Sequence, residues 1–290
     1  MRSSEVIRAL VFILTAATLL AGCSASAGET GKETPARIVT VGGSVTETAF
    51  ALGAGDLVVA TDTSSIFPEK ATELPQIGYQ RSISAEGVIS QNPTLLLVSS
   101  EAGPPPALRQ IESSGVKVVS IANENTIDGA RAQIRKIAEA LDRKPKGEEL
   151  ISELDNRLKE AQRCVESIDK RPRVLFIYAR GAGAVNVSGA GTAADSIIGL
   201  SGGENAIDGF VGFKPLTPEA LVAAAPDVIL IPERAMGSIG GLDGVKRLPG
   251  LSDTPAFRNG RFVVVDDLLL LGFSPRLGDA ILELCTKLRG

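Results

Sequence analysis

Two tyrosines occur in the 290 residues, and both open the same triplet: Tyr79-Gln80-Arg81 and Tyr178-Ala179-Arg180. A phenol beside a guanidinium is a chemical unit. A cation held against a phenol favours the phenolate form. Phenolate is a hard oxygen donor that suits a hard cation such as Fe(III). A tyrosine is equally an ordinary packing aromatic, and the triplets alone leave both uses open. What is missing narrows the chemistry further. The chain has no His and no Trp, three Cys and two Met. Ser-His-Asp and Cys-His catalysis, His-ligated zinc or manganese, and His-ligated haem are therefore excluded. The work falls to carboxylates, Lys, Arg, Ser/Thr, Cys, Met and the two tyrosines. Met236 has a thioether to offer, although a lone Met ordinarily fills a gap in packing.

The net charge of −4 and a pI near 5.2 lack the basic footprint of a nucleic-acid protein, so no nucleic-acid partner is expected. The N-terminus sets the compartment. Arg2 and Arg8 form a positive region, Ala9–Leu20 is an apolar run too short to span a bilayer, and Leu20-Ala21-Gly22-Cys23 follows. This resembles a bacterial lipoprotein signal, which implies cleavage before Cys23 and lipid on its thiol. Residues 24–36 are small and polar and read as a tether. The Gly28–Lys32 string within it lacks the spacing of a phosphate loop.

Elements that could position the triplets follow. Apolar runs at 37–41, 57–61, 94–98, 117–121, 173–178, 227–231 and 262–265 alternate with helical patterns at 44–52, 84–91, 105–114, 126–141, 192–200, 217–225 and 275–288. Such runs imply parallel sheets covered on both faces. Tyr178 then ends a strand, where parallel sheets face ligands. An internal echo appears: Ser84-Ala85-Glu86, Pro93 and a strand match Thr217-Pro218-Glu219, Pro226 and a strand. The common offset is 133 residues (86 to 219, 93 to 226). A repeat this long means two similar lobes. Between them, 145–170 carries Leu150, Leu154, Leu158 and Ala161 at helical spacing, which predicts one long helix and lobes that rock only slightly.

The expected fold is α/β: two Rossmann-like lobes with parallel sheets, joined by a single long α-helix. The expected organisation is a signal peptide (1–22), a lipid-anchored tether (23–36), an N-terminal lobe (37–143), the linker helix (144–170) and a C-terminal lobe (171–290). A lipid-anchored protein so built resembles the substrate-binding components of ABC importers for iron-siderophores, cobalamin and haem. Ile77–Gly87, Phe213–Leu221 and Asp266–Arg276, with Gly103-Pro104-Pro105 and Gly191–Asp195, make it similar to the haemin-binding (HmuT-like) members over nearly the whole mature chain.

That resemblance implies haem b as transported ligand, no catalytic cofactor and no enzymatic activity. It implies Tyr79 as axial ligand of the haem iron and Tyr178 as a second ligand or a packing aromatic. Phe213, the repeat counterpart of the first-lobe Tyr, and Phe273 are expected to wall the porphyrin, with Pro104, Pro105 and Leu268–Leu271. Arg81, Arg180, Lys214 and Arg276 are expected to supply cations to the propionates. Glu86 and Glu219 suit helix N-termini and, by resemblance, dock onto an ABC permease served by a separate ATPase subunit. The location is extracytoplasmic, at the cell membrane. Cys164 and Cys285 are expected as buried thiols, with a disulfide as the alternative. Two rival functions stand: the same machine with a ferric siderophore or cobalamin, and a two-domain α/β enzyme. For the enzyme, no GxGxxG follows a first strand and no general base is evident.

Overall fold

Short Val/Ile/Leu runs form the central strands Ile38–Val41, Leu95–Ser99 and Val228–Pro232, where both faces are buried. A computed structural model describes residues 36–179 and 185–290. The signal peptide, Cys23, the tether through residue 35 and Arg180 lie outside the described residues. The first lobe runs β1 (Ile38–Val41), α1 (Gly43–Ala51), β2 (Val58–Thr61), α2 (Glu69–Thr72), α3 (Ala85–Ile89), β3 (Leu95–Ser99), α4 (Pro105–Ser113), β4 (Lys117–Ile121) and α5 (Ile127–Ala140). Its four strands lie in the order β2-β1-β3-β4, all parallel. Then comes α6 (Lys144–Glu166), 23 residues or about 35 Å long.

The second lobe runs β5 (Arg173–Tyr178), β6 (Asn186–Ser188), α7 (Ala193–Leu200), β7 (Glu204–Asn205), β8 (Phe213–Pro215), α8 (Pro218–Ala224), β9 (Val228–Pro232), α9 (Glu233–Ser238), α10 (Gly241–Lys246), α11 (Pro255–Arg258), β10 (Phe262–Val265), α12 (Asp267–Leu271) and α13 (Leu277–Arg289). The sheet order is β10-β9-β5-β6-β8, with β7 beside β5. The expected parallel core is β10-β9-β5, and the sheet is mixed because β6 runs antiparallel to both β5 and β8. Only seven residues separate β5 from β6, too few for the crossover that a parallel pairing needs, so the pairing is antiparallel. Neither Asn-Val-Ser nor Phe-Lys-Pro forms an apolar run that would announce a strand.

Alternation along the strands divides the core. Ile38, Leu95 and Leu97 face one cluster with Val174, Phe176, Leu230 and the helices α6 and α13. Val39, Val41, Leu96 and Val98 face a second cluster under α3 and α4, while Leu175, Ile177, Ile229 and Ile231 face a third in the second lobe. The first cluster draws on both lobes, so they share one apolar layer. Helix α6 buries Leu150, Ile151, Leu154 and Ala161 in it. Its outer face pairs with α5 through Arg131–Asp155 (2.7 Å) and Arg135–Glu148 (2.8 Å), and with α13 through Arg157–Asp279 (3.0 Å). At Gly278 a Cβ would lie 2.5 Å from the Arg157 Cβ, so this residue lets α13 close onto α6.

Two expectations change. The linker helix stops at Glu166 rather than 170, where the Ser167 hydroxyl turns back onto the Cys164 carbonyl. Cys164 and Cys285 are a disulfide, not buried thiols, with Cα atoms 6.3 Å apart joining α6 to α13. Each cysteine sits on an inward helix face, but sequence does not say which faces meet. Among the described residues, no helix is long and apolar enough to cross a membrane.

Candidate functional site

Tyr79 sits on the segment between α2 and α3, which is bound on both sides by backbone hydrogen bonds. Ile77 N–H donates to Thr61 (2.9 Å), Thr63 N–H to Gly78 (2.9 Å), Gly103 N–H to Gln80 (2.9 Å) and Ile83 N–H to Gly103 (2.9 Å). Gly78 adopts φ 101°, a conformation that side-chain-bearing residues rarely take, and turns the chain into Tyr79. The neighbouring loop is held by Asp62, which is fully buried and accepts from Gly42 N–H (2.8 Å), Ser64 N–H (2.9 Å) and the Ser65 hydroxyl (2.8 Å). The half-buried Tyr79 ring is thus carried at the C-terminal edge of the first sheet by a rigid frame. Arg81 is exposed, and its guanidinium is paired with Glu101, whose other oxygen accepts from Asn123 Nδ2 (3.0 Å).

Tyr178 ends β5 opposite Asn186 of β6. Its half-buried ring lies 5.7 Å from that of Phe213, which is 50% exposed, and Phe213 in turn lies 6.5 Å from the buried Phe176. Lys214 stands over Phe210 at 4.7 Å, and Val211 is 81% exposed. The second lobe therefore presents an apolar wall with a cation at its edge. A patch of this kind on a soluble surface marks a place where something binds.

The lobes meet at Arg276. Its guanidinium donates to both Glu47 oxygens (2.9 and 2.8 Å), and Ser274 Oγ adds a third bond (2.7 Å). The other side of the guanidinium stacks on Phe67, 3.6 Å from the ring centre. Burial works against the Arg276 charge, but the Glu47 hydrogen bonds and charge, with Asp266 and Asp279, leave its pKa raised. Leu268 packs against the start of α1, where a Cβ on Gly43 would come within 2.7 Å of it. Nearby, Asp267 accepts from Arg234 N–H (3.0 Å), and burial pushes its carboxyl upward. These contacts join segments that follow the C-terminal ends of strands in both lobes: Glu47 after β1 and Phe67 after β2 in the first, Ser274 and Arg276 after β10 and α12 in the second. Tyr79 stands beside such an end, that of β2, and Tyr178 ends β5 in the other lobe.

Comparison with known proteins agrees with this architecture. The profile of a family described as periplasmic binding protein matches residues 38–268. The chain belongs to the periplasmic binding protein family. A solved relative is the periplasmic heme-binding protein RhuT from Roseiflexus sp. RS-1 in apo form: 43% identical, TM-score 0.85, covering 88% of this chain and 98% of that one. Another is the periplasmic heme-binding protein BhuT in complex with two hemes: 41% identical, TM-score 0.83, covering 87% and 97%. Among curated relatives, the ABC transporter substrate-binding lipoprotein YvrC of Bacillus subtilis is 26% identical over 260 residues, 89% of this chain and 81% of its own length. Vitamin B12-binding proteins match at 25% identity and below.

In this binding protein the expected residues fall into three groups. Tyr79 and Arg81 share the first-lobe loop, with Pro104 and Pro105 exposed beside it, while Tyr178, Phe213 and Lys214 lie together on β5 and β8 of the second lobe. Phe273 and Arg276 have other employment. Phe273 is 2% exposed within the shared core, and Arg276 is committed to Glu47. Of the 268–271 run, Leu270 is fully buried and Leu268 forms the interlobe contact. Glu86 and Glu219 are exposed in the first turns of α3 and α8, whose Ser84 and Thr217 side chains cap Gly87 and Ala220 N–H at 3.2 Å each. Met236 packs against the second-lobe core. Sequence reasoning missed Glu47, Phe67 and Glu101. Glu47 left one signal, a lone acid in the otherwise small and apolar stretch Gly43–Ala51.

Proposed function

We propose that this protein binds haem between its lobes, with Tyr79 as axial ligand to the iron, and delivers it to an ABC permease. The observation that carries this is Tyr79 on a braced loop beside the C-terminal end of β2, in a chain 41–43% identical to two heme-binding proteins. Among the described residues, no three His, Cys, Asp or Glu side chains converge into a metal-ion site. A single phenolate suits iron whose remaining positions are filled by a porphyrin. The exposed Phe213 and Val211 supply apolar wall, and Lys214 supplies a cation for a propionate. Arg81 would exchange Glu101 for the ligand or the phenolate. Tyr178 faces the second side of the porphyrin, stacked with Phe213. Arg180, two residues on, completes the second triplet.

The remaining assignments follow from the same reading. Glu86 and Glu219, exposed and repeat-related, dock onto basic residues of the permease. Cleavage before Cys23 leaves a lipidated thiol that anchors the chain outside the cytoplasmic membrane. The protein binds and hands over its cargo without transforming it; a separate subunit hydrolyses ATP.

Hemin titration of the apo-protein tests this. A saturable visible spectrum of the tyrosinate type is expected, and Tyr79→Ala weakens or abolishes it. An unchanged spectrum in that variant refutes the ligand assignment. Tyr178→Phe keeps the ring and removes the oxygen, so a spectral change there reports ligation and no change reports stacking. Saturable cobalamin binding with no hemin response would favour the activity named for the vitamin B12-binding relatives.

A further inference from the structure

The contact at Glu47 is more elaborate than holding two lobes together requires. Its carboxylate is 2% exposed and takes three donors from the opposite lobe. A buried ion pair is a poor source of stability, because desolvating two charges cancels most of their attraction. A bidentate pair instead supplies orientation, since the guanidinium fork fits a carboxylate in few arrangements. Phe273, just before the donors, is held at φ 45°, in the left-handed region that disfavours a bulky residue. That strain lies in the segment that aims Ser274 and Arg276 across the gap.

The acceptor side leads to the tyrosine. Phe67, stacked on Arg276, follows directly on the loop whose Ser65 hydroxyl meets that of Thr46 at 2.6 Å, one residue before Glu47. In the same loop, Thr63 N–H donates to the carbonyl of Gly78, the residue before Tyr79. A continuous set of contacts therefore runs from Arg276 through Glu47 and Phe67 to the Tyr79 loop.

We infer that Glu47 is a positioning residue for the iron ligand: its pair with Arg276, backed by Phe67, locks the second lobe against the loop bearing Tyr79 and sets the gap in which haem is gripped. The inference rests on the haem reading above. Glu47 and Arg276 are committed to each other, so in this inference neither is itself a haem ligand.

Hemin titration and the ferric absorption and EPR spectra of full-length Glu47→Gln, Arg276→Lys and Phe67→Leu test it. Glu47→Gln keeps the shape and removes the charge; Arg276→Lys keeps the charge and removes the fork. Each is expected to raise the hemin Kd about tenfold, the order carried by a packed coupling network, and to alter the tyrosinate bands while Tyr79 remains present. Wild-type Kd and spectra in Glu47→Gln and Arg276→Lys overturn the inference. So does a lowered thermal midpoint with an unchanged bound-state spectrum, which marks a merely structural contact. Tighter hemin binding by Glu47→Gln also overturns it, because Arg276 would then be a propionate ligand freed from competition. Should Glu47→Gln fail to fold, Phe67→Leu decides, since Phe67 is 40% exposed and its loss strands no buried charge. Wild-type protein that ignores hemin overturns the haem reading itself, a result separate from all of these.

Discussion

Replacing Cys164 and Cys285 together by alanine removes the covalent tie between α6 and α13, and its cost can be worked from the chain between them. The two residues are 121 apart in sequence. Opening a closed loop of that length returns about 16 cal/mol/K of chain entropy to the unfolded state, or about 5 kcal/mol at 25 °C. Little offsets this in the folded state, because α13 and α6 remain packed through Leu154, Ala161, Leu277 and Leu284. For a chain of this size the change corresponds to a fall of roughly 10–15 °C in thermal midpoint. Thermal and denaturant unfolding of the variant, and of wild type with and without reductant, measure it. A shift below about 2 °C would refute the entropy argument, and Cys164 and Cys285 found as free thiols in unreduced denatured protein would refute the bond itself. The bond also matches an oxidising compartment, as the extracytoplasmic location of the family requires.

Three other outcomes are expected. Gly43→Ala places a Cβ 2.6 Å from the Ser64 carbonyl and 2.7 Å from Leu268, so denaturant unfolding is expected to show a loss of about 1–3 kcal/mol; no loss would mean that the interlobe contact yields freely. Thr217→Ala removes the cap on Ala220 N–H and is expected to cost about 1 kcal/mol, matched by Ser84→Ala in the repeat-related helix; a null effect in both would deny the caps their role. Lys144 holds the Glu139 carboxyl, and Arg135 the Glu148 carboxyl, below the ordinary value of 4.5. A depressed carboxylate pKa supports the fold above the unfolded value and loses that support as pH falls through the folded one. Amide protection factors in α5 and the start of α6, each referred to the intrinsic exchange rate at that pH, are therefore expected to fall on acidification below 4.5, and pH-independent protection factors there would contradict it.

Much of this fold was legible because local rules and burial agree. The runs at 117–121, 173–178 and 262–265 are β4, β5 and β10 to the residue: β5 is buried along most of its length and reads as an apolar run, while the edge strands β4 and β10 are recognisable from their Val and Ile content although part of each is exposed. Ser84 and Thr217 announced their helices because a cap is a local act between a side chain and an amide three residues on. The short strands β6 and β8 were not legible. Asn186–Ser188 and Phe213–Pro215 are strands only through pairing with each other and with β5, and nothing in their composition encodes that.

The candidate site divides the same way. The lack of histidine removed the nitrogen ligands, and only with the resemblance to haemin-binding proteins did the candidate iron ligands come down to Tyr79 and Tyr178; the repeat of 133 residues, with a long helical period between its halves, indicated two lobes. Only the tertiary structure decided which partners those side chains keep. Arg81 goes to Glu101, 20 residues on, and Arg276 to Glu47, 229 residues away. Phe273 goes to the core instead of the cleft. Periodicity records which face of an element is apolar, whereas an ion pair across two lobes depends on where separately folded faces meet, and that is settled only when the whole chain packs.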